Sequence, residues 1–229
     1  MAFSTTEYLT TTITSLTACI TLMISLSYLV ALSRVYKYAQ AHPKALNKVS
    51  GVWIQRYAPY AYVVLVLTSL CEVAIASWLL LQYRFHHNYP NVPALTAIRF
   101  LMFSSCWTTI TAGAYSMLFV HPTWSKYPIV SVGSQSIWIL VTWIFWIVGA
   151  GLTNGAVPRL LMDLTTCGDA AYCGHIRAVF AVAVVESLIL TGGMATVMWL
   201  AWHSARDAWS LNSRPFSVMS RASMLFAPR

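Results

Sequence analysis

A chain of 229 residues in which 58% are hydrophobic and only 9% charged cannot clothe a water-soluble surface, which takes roughly 25% charged residues. The formal charge of +8 is spread over basic positions between apolar runs, which points to anionic lipid head groups and away from nucleic acid. These numbers exclude a soluble domain and predict an all-α integral membrane bundle.

A spanning helix needs about 20 mostly apolar residues. No Asp, Glu, Lys or Arg lies between Glu7 and Arg34, between Arg99 and Lys126, or between Lys126 and Arg159. Five transmembrane helices are therefore predicted, near 10–33, 58–83, 97–120, 132–156 and 177–202. Residues 1–9 form a short N-terminus. No Lys or Arg precedes Arg34, whereas a secretory signal carries positive charge before its apolar run. The first span is thus expected to be a retained helix. With the N-terminus outside, ten Lys and Arg fall on inner segments and four on outer ones, as the positive-inside rule requires. The C-terminus is then cytoplasmic.

Residues 34–57 read as a basic cytoplasmic connector, and Pro43 argues against one continuous helix there. The second span carries Glu72 on a face shared with Thr68, Ser69 and Ala76. Arg99 opens the third span near the outer surface. Ser105, Thr109 and Gly113 follow at four-residue spacing, a pattern that lets helix backbones approach closely. The fourth span ends in a G-x-x-x-G made by Gly151 and Gly155. The outer loop "TTCGDAAYCGH" holds Cys167 and Cys173, for which a disulfide is expected. A zinc site with Asp169 and His175 is the poorer fit, because zinc sites usually show two close ligand pairs. The fifth span carries Glu186 beside Ala183, Ser187, Thr191 and Ala195, and Gly192–Gly193 offers a bend. Residues 203–229 read as a largely disordered basic, Ser-rich tail.

An ionised acid at a helix centre costs about 2.5–3.5 kcal/mol. Glu72 and Glu186 stand roughly 16 and 14 Å from the outer ends of their spans, at about 1.5 Å per residue. If the helices touch, the carboxyls share one level and one proton, since two close carboxylates do not both ionise cheaply. Two readings follow. The pair is interhelical glue, worth about 0.6 kcal/mol per hydrogen bond, or it is a proton-coupled transport site. Glue is favoured because the internal repeats of many transporters are missing from the sequence. Arg99 is placed to reach toward Glu186 but not Glu72.

Nothing in the chain reads as an enzyme. His86–His87 is a bare pair, Ser134 has no partner base in sequence reach, and neither a phosphate loop nor H-E-x-x-H occurs. No cofactor, metal or catalytic residue is expected.

The stretches "EVAIASWLLLQY", "IRFLMFSSCWTTITAGAY", "LVTWIFWIVGAGLTNGAVP" and "CGDAAYCGHIRAVFAVAVVES" resemble, in this order, a fungal MARVEL-domain membrane protein over about residues 52–205. The resemblance implies a four-helix core over 58–202 with both core ends cytoplasmic. It also implies roles in lateral microdomains, vesicle traffic or membrane apposition, in a plasma or secretory-pathway membrane. Expected partners are membrane lipids (sterol, sphingolipid or anionic lipid), membrane proteins or a second copy of the chain. The chain departs from the pattern in its extra first span and in Phe180, where relatives tend to carry a second acid early in the last helix.

Overall fold

In the computed structural model the described residues are 5–41, 51–121, 132–157 and 172–212. They form five helices and, among the described residues, no strand: α1 (Thr5–Ala41), α2 (Gly51–His86), α3 (Val92–Val120), α4 (Val132–Ala156) and α5 (Cys173–Asn212). Four of them contain stretches long and apolar enough to cross a membrane, namely Leu9–Tyr38, Ala58–His86, Gly133–Ala156 and Cys173–Trp199. A multi-pass integral membrane protein is the class these four helices indicate.

α3 is not among the four, and its sequence says why. Ser104, Ser105, Thr108 and Ser116 are all buried on it. Each returns its hydroxyl to its own helix, for example Thr108 Oγ1 to the Ser104 carbonyl at 2.8 Å and Ser116 Oγ to the Gly113 carbonyl at 2.7 Å. Bonded in this way, small polar side chains lower the mean hydropathy of a helix and still allow neighbours to pack closely. α3 is accordingly the helix that touches α1, α2, α4 and α5.

Successive helices run antiparallel. Tyr62 near the start of α2 stacks on Tyr115 and Phe119 near the end of α3. Along α3 and α4, Tyr115 bonds Ser134 at 3.0 Å, Trp146 bonds Thr108 at 2.9 Å, and Asn91 reaches the Ala156 carbonyl at 3.0 Å. Trp143 donates to Thr191 of α5 at 2.8 Å. α1 lies outside this core and is attached along one polar edge. Trp78 donates to Thr14 at 2.8 Å, and the Tyr28 and Ser116 hydroxyls meet at 2.8 Å. The buried row of α2 includes Tyr62, Leu65, Val66, Ser69, Glu72, Ala76, Leu79 and Tyr83. That is the three-and-four spacing of one helix face.

The helices outrun the expected spans. α1 and α2 take up much of the connector 34–57, although Pro43 itself lies outside the described residues. Pro59 sits inside α2. α5 passes through Gly192–Gly193 and continues to Asn212, so the tail expected to be disordered from residue 203 begins as helix. At the other end, the Asn91 side chain accepts the Ala94 N–H at 2.7 Å and Pro93 lies in the first turn of α3. This N-cap sets a sharp start for the helix.

Two packing expectations need correction. Around Gly151 and Gly155 a Cβ would meet nothing within 4 Å, so their G-x-x-x-G joins no helices among the described residues. The close approach is at Gly149, where a Cβ would lie 2.4 Å from Leu101 Cδ2. Gly149 continues the buried row Thr142, Trp146 and Thr153 toward α3, whereas Gly151 is two residues round and faces outward. On α3 the fully buried row includes Ser104, Thr108, Ala112 and Ser116. The expected row Ser105, Thr109, Gly113 lies beside it. Ser105 is buried, Thr109 is half-buried, and Gly113 faces Tyr28 and Val66 at ordinary contact distance. Gly149→Val is therefore expected to destabilise the α3–α4 contact by about 1–3 kcal/mol, and Gly151→Val to leave it unchanged. Thermal unfolding of the two variants in the same detergent distinguishes them.

Candidate functional site: a buried carboxyl pair

Glu72 follows Thr68 and Ser69 by four and three residues on α2, so all three belong to one side of the helix. On α5 the buried row is Ile176, Val179, Phe180, Ala183, Glu186 and Leu190. Packing these two rows together brings the acids into one interface. Both Glu72 and Glu186 are completely buried, with 0% exposure, and Ser69, three residues before Glu72, bonds Glu186.

Glu186 Oε1 accepts from Ser69 Oγ at 3.0 Å and also from Thr68 Oγ1. Thr68 is at the same time 2.8 Å from the Val64 carbonyl oxygen. A hydroxyl has one proton, so Thr68 serves one of these acceptors at a time. Ser69 is the constant donor. The remaining oxygens, Glu186 Oε2 and both oxygens of Glu72, have no hydrogen-bond partner. Two acids thus share an apolar interface with two hydroxyls and, among the described residues, no compensating cation. Burial without a countercharge favours the protonated form of such carboxyls.

Arg99 does not enter this site. It is exposed and lines a cavity between the ends of α2 and α3, while the acids are served by hydroxyls or by nothing. The expected reach toward Glu186 is therefore not made, because the side chain follows the α2–α3 groove to the surface. Ala183 is buried one turn before Glu186, and Ser187 is half-buried with its hydroxyl on the Ala183 carbonyl at 2.8 Å. Above the acids, Trp78 stacks on His175 with ring centres 4.2 Å apart and meets Tyr172 edge-on at 5.0 Å. Tyr172 and Thr10 both direct hydroxyls at Gln82 Oε1, at 3.4 and 3.5 Å. This aromatic layer closes the α2–α5 interface at the end bearing the α2–α3 turn.

Cys173 opens α5. Cys167 and Asp169 lie outside the described residues, as does most of that loop. The free thiols are Cys19, Cys71 and Cys106. Among the described residues no group of three or more His, Cys, Asp or Glu converges to hold a metal.

Sequence reading named the two acids and the face of α2 that carries them. It missed that Ser69 and Thr68 bond Glu186 across the interface and not Glu72 on their own helix. The signal was the placement of hydroxyls three and four residues before one acid, which also puts them at the level of a second acid on a facing helix. Searches of protein-family models, curated proteins and solved structures return no match to this chain.

Proposed function

We propose that this protein is a non-enzymatic membrane organiser: five helices crossing the bilayer, N-terminus outside and C-terminus cytoplasmic, built on a MARVEL-like core of α2 to α5. In this reading α3 crosses as well, with Phe103 and Ile110 exposed toward lipid and its polar row turned to its neighbours. In this reading a Cys167–Cys173 disulfide also pins the outer loop. The role is the gathering of lipids or membrane proteins in a plasma or secretory-pathway membrane, in lateral microdomains, vesicle traffic or membrane apposition.

The observation that carries this reading is the outer surface of α1. The most apolar window of Leu9–Tyr38 is 0% buried. Leu16, Leu22, Met23 and Leu26 are all more than half exposed. A helix held to its neighbours by a few hydroxyl contacts, with the rest of its surface apolar, is suited to lipid or to a partner helix.

A second reading, proton-coupled transport through Glu72 and Glu186, is favoured by the three carboxyl oxygens without partners. Buried polar atoms left unpaired call for an explanation beyond packing. One reconstitution separates the two. The organiser is expected to retain sterol, sphingolipid or partner proteins through mild-detergent purification and to give no proton flux in liposomes. Flux that disappears in Glu72→Gln replaces the organiser with the transporter, and loss of every retained lipid and partner removes the organiser.

A further inference from the structure

We infer that the groove between the ends of α2 and α3 binds the head group of an anionic phospholipid, with its phosphate between Arg84 and Arg99. The inference rests on the reading of the chain as a membrane organiser and names one lipid class it gathers.

The groove has a volume of about 620 Å³. Its polar rim is cationic: Arg84 and Arg99 line it together with His87 and Tyr89, and no acidic side chain does. Both arginines are exposed, and neither has an ion-pair or hydrogen-bond partner among the described residues. The acids with described side chains, Glu72 and Glu186, are sealed in the core. Two guanidiniums around one cavity, with no carboxylate among its described lining, make a site complementary to a phosphate, which accepts paired N–H donors from Arg.

The rest of the wall selects a lipid over a soluble anion. Leu80, Leu81, Leu95 and Met102 supply it. On α2 the lining runs from Ser77 to Arg84, about 10 Å at 1.5 Å per residue. Arg84 stands two residues from the end of α2, while Ser77 and Leu80 lie deeper on the same helix. Because α3 runs the other way, Met102 is on the deep side of Arg99 as well. Arg84 and His87 at the mouth, with Leu80 and Met102 below, match the order of head group and acyl chain in a leaflet, while Leu95 lies on the turn side of Arg99. Arg84 sits in the last turn of α2 and His87 just past its end, at the level where a spanning helix meets lipid heads.

The test uses the full-length protein purified in neutral detergent. Retention of phosphatidylglycerol against phosphatidylcholine is measured by mass spectrometry of the intact complex, with inorganic phosphate as competitor. A preference for phosphatidylglycerol is expected, resistant to inorganic phosphate. Each basic side chain near a membrane surface is worth about a fivefold change. Arg84→Gln/Arg99→Gln is therefore expected to lower the preference by about tenfold or more. Arg84→Lys/Arg99→Lys is expected to keep most of the charge-based preference, which also shows that the site tolerates substitution without loss of fold. Arg34→Gln, at the opposite end of the helices, is expected to change nothing. Equal retention of both lipids, displacement by inorganic phosphate, or an equal loss in Arg34→Gln overturns the inference. Retention of neutral lipid without the anionic preference removes this site and leaves the organiser standing, whereas retention of no lipid removes both.

Discussion

Trp146→Ala is expected to cost about 3 kcal/mol or more, the largest loss from a single truncation in the described helices. Trp146 is the largest fully buried side chain among the described residues. Its indole N–H donates to Thr108 Oγ1 at 2.9 Å, and Thr108 in turn bonds the Ser104 carbonyl at 2.8 Å. One turn further along α4 is Gly149, where Leu101 of α3 fits against the backbone. Truncating the indole empties the α3–α4 contact and leaves the Thr108 hydroxyl with its bond to the Ser104 carbonyl alone. Lipid is as apolar as the core, so the loss comes from missing contacts and not from exposure to water. That places the expectation at the low end of the range for buried Trp. Trp146→Phe keeps most of the volume and loses the hydrogen bond, for about 0.5–1.5 kcal/mol. Unfolding of both variants in one detergent gives the comparison. A cost for Trp146→Ala no larger than that for Trp146→Phe would show that the α3–α4 seam does not depend on filling this space.

The two buried acids are expected to respond in opposite directions. Glu72→Leu raises stability by about 1–3 kcal/mol, because it removes two buried oxygens that have no partner. Glu186→Leu lowers it by about 1 kcal/mol. Glu186 gives Ser69 its acceptor at 3.0 Å, and Ser69 is completely buried, so the substitution leaves a hydroxyl unserved. The signs follow from the hydrogen-bond pattern and not from charge, which both variants remove. Denaturation of the two variants and of the double variant closes a cycle. A gain from Glu72→Leu means the chain carries Glu72 at a cost in stability, which favours a working role for the pair. A loss as large as that of Glu186→Leu means Glu72 is glue, and the transport reading loses its support.

Much of the architecture was legible before folding. The spacing of charge marks the apolar stretches of α1, α2, α4 and α5, because an unpaired charge at bilayer depth is costly at any position along a helix. The side of α2 that carries Glu72 is also legible, since Thr68, Ser69 and Ala76 recur at helical spacing. Helix ends were less so. α5 runs to Asn212 through polar residues, because a helix once started extends beyond its apolar segment at little cost.

What sequence alone determined is therefore the class of the protein: a chain too poor in charge for a water-soluble surface, divided into apolar helices, with one acid in each of two of them. What only tertiary structure decided is pairing. Gly149 and Gly151 are equivalent as letters, yet one faces Leu101 and the other faces open space. Glu72 and Glu186 are equivalent acids, yet one holds two hydroxyls and the other holds none. Arg99 seemed placed to reach toward Glu186, yet its side chain lies with Arg84 in the α2–α3 groove. Helical period fixes which residues share a face, because it depends on local backbone geometry. Which face meets which neighbour depends on how five helices pack at once, and no stretch of sequence shorter than the whole contains that.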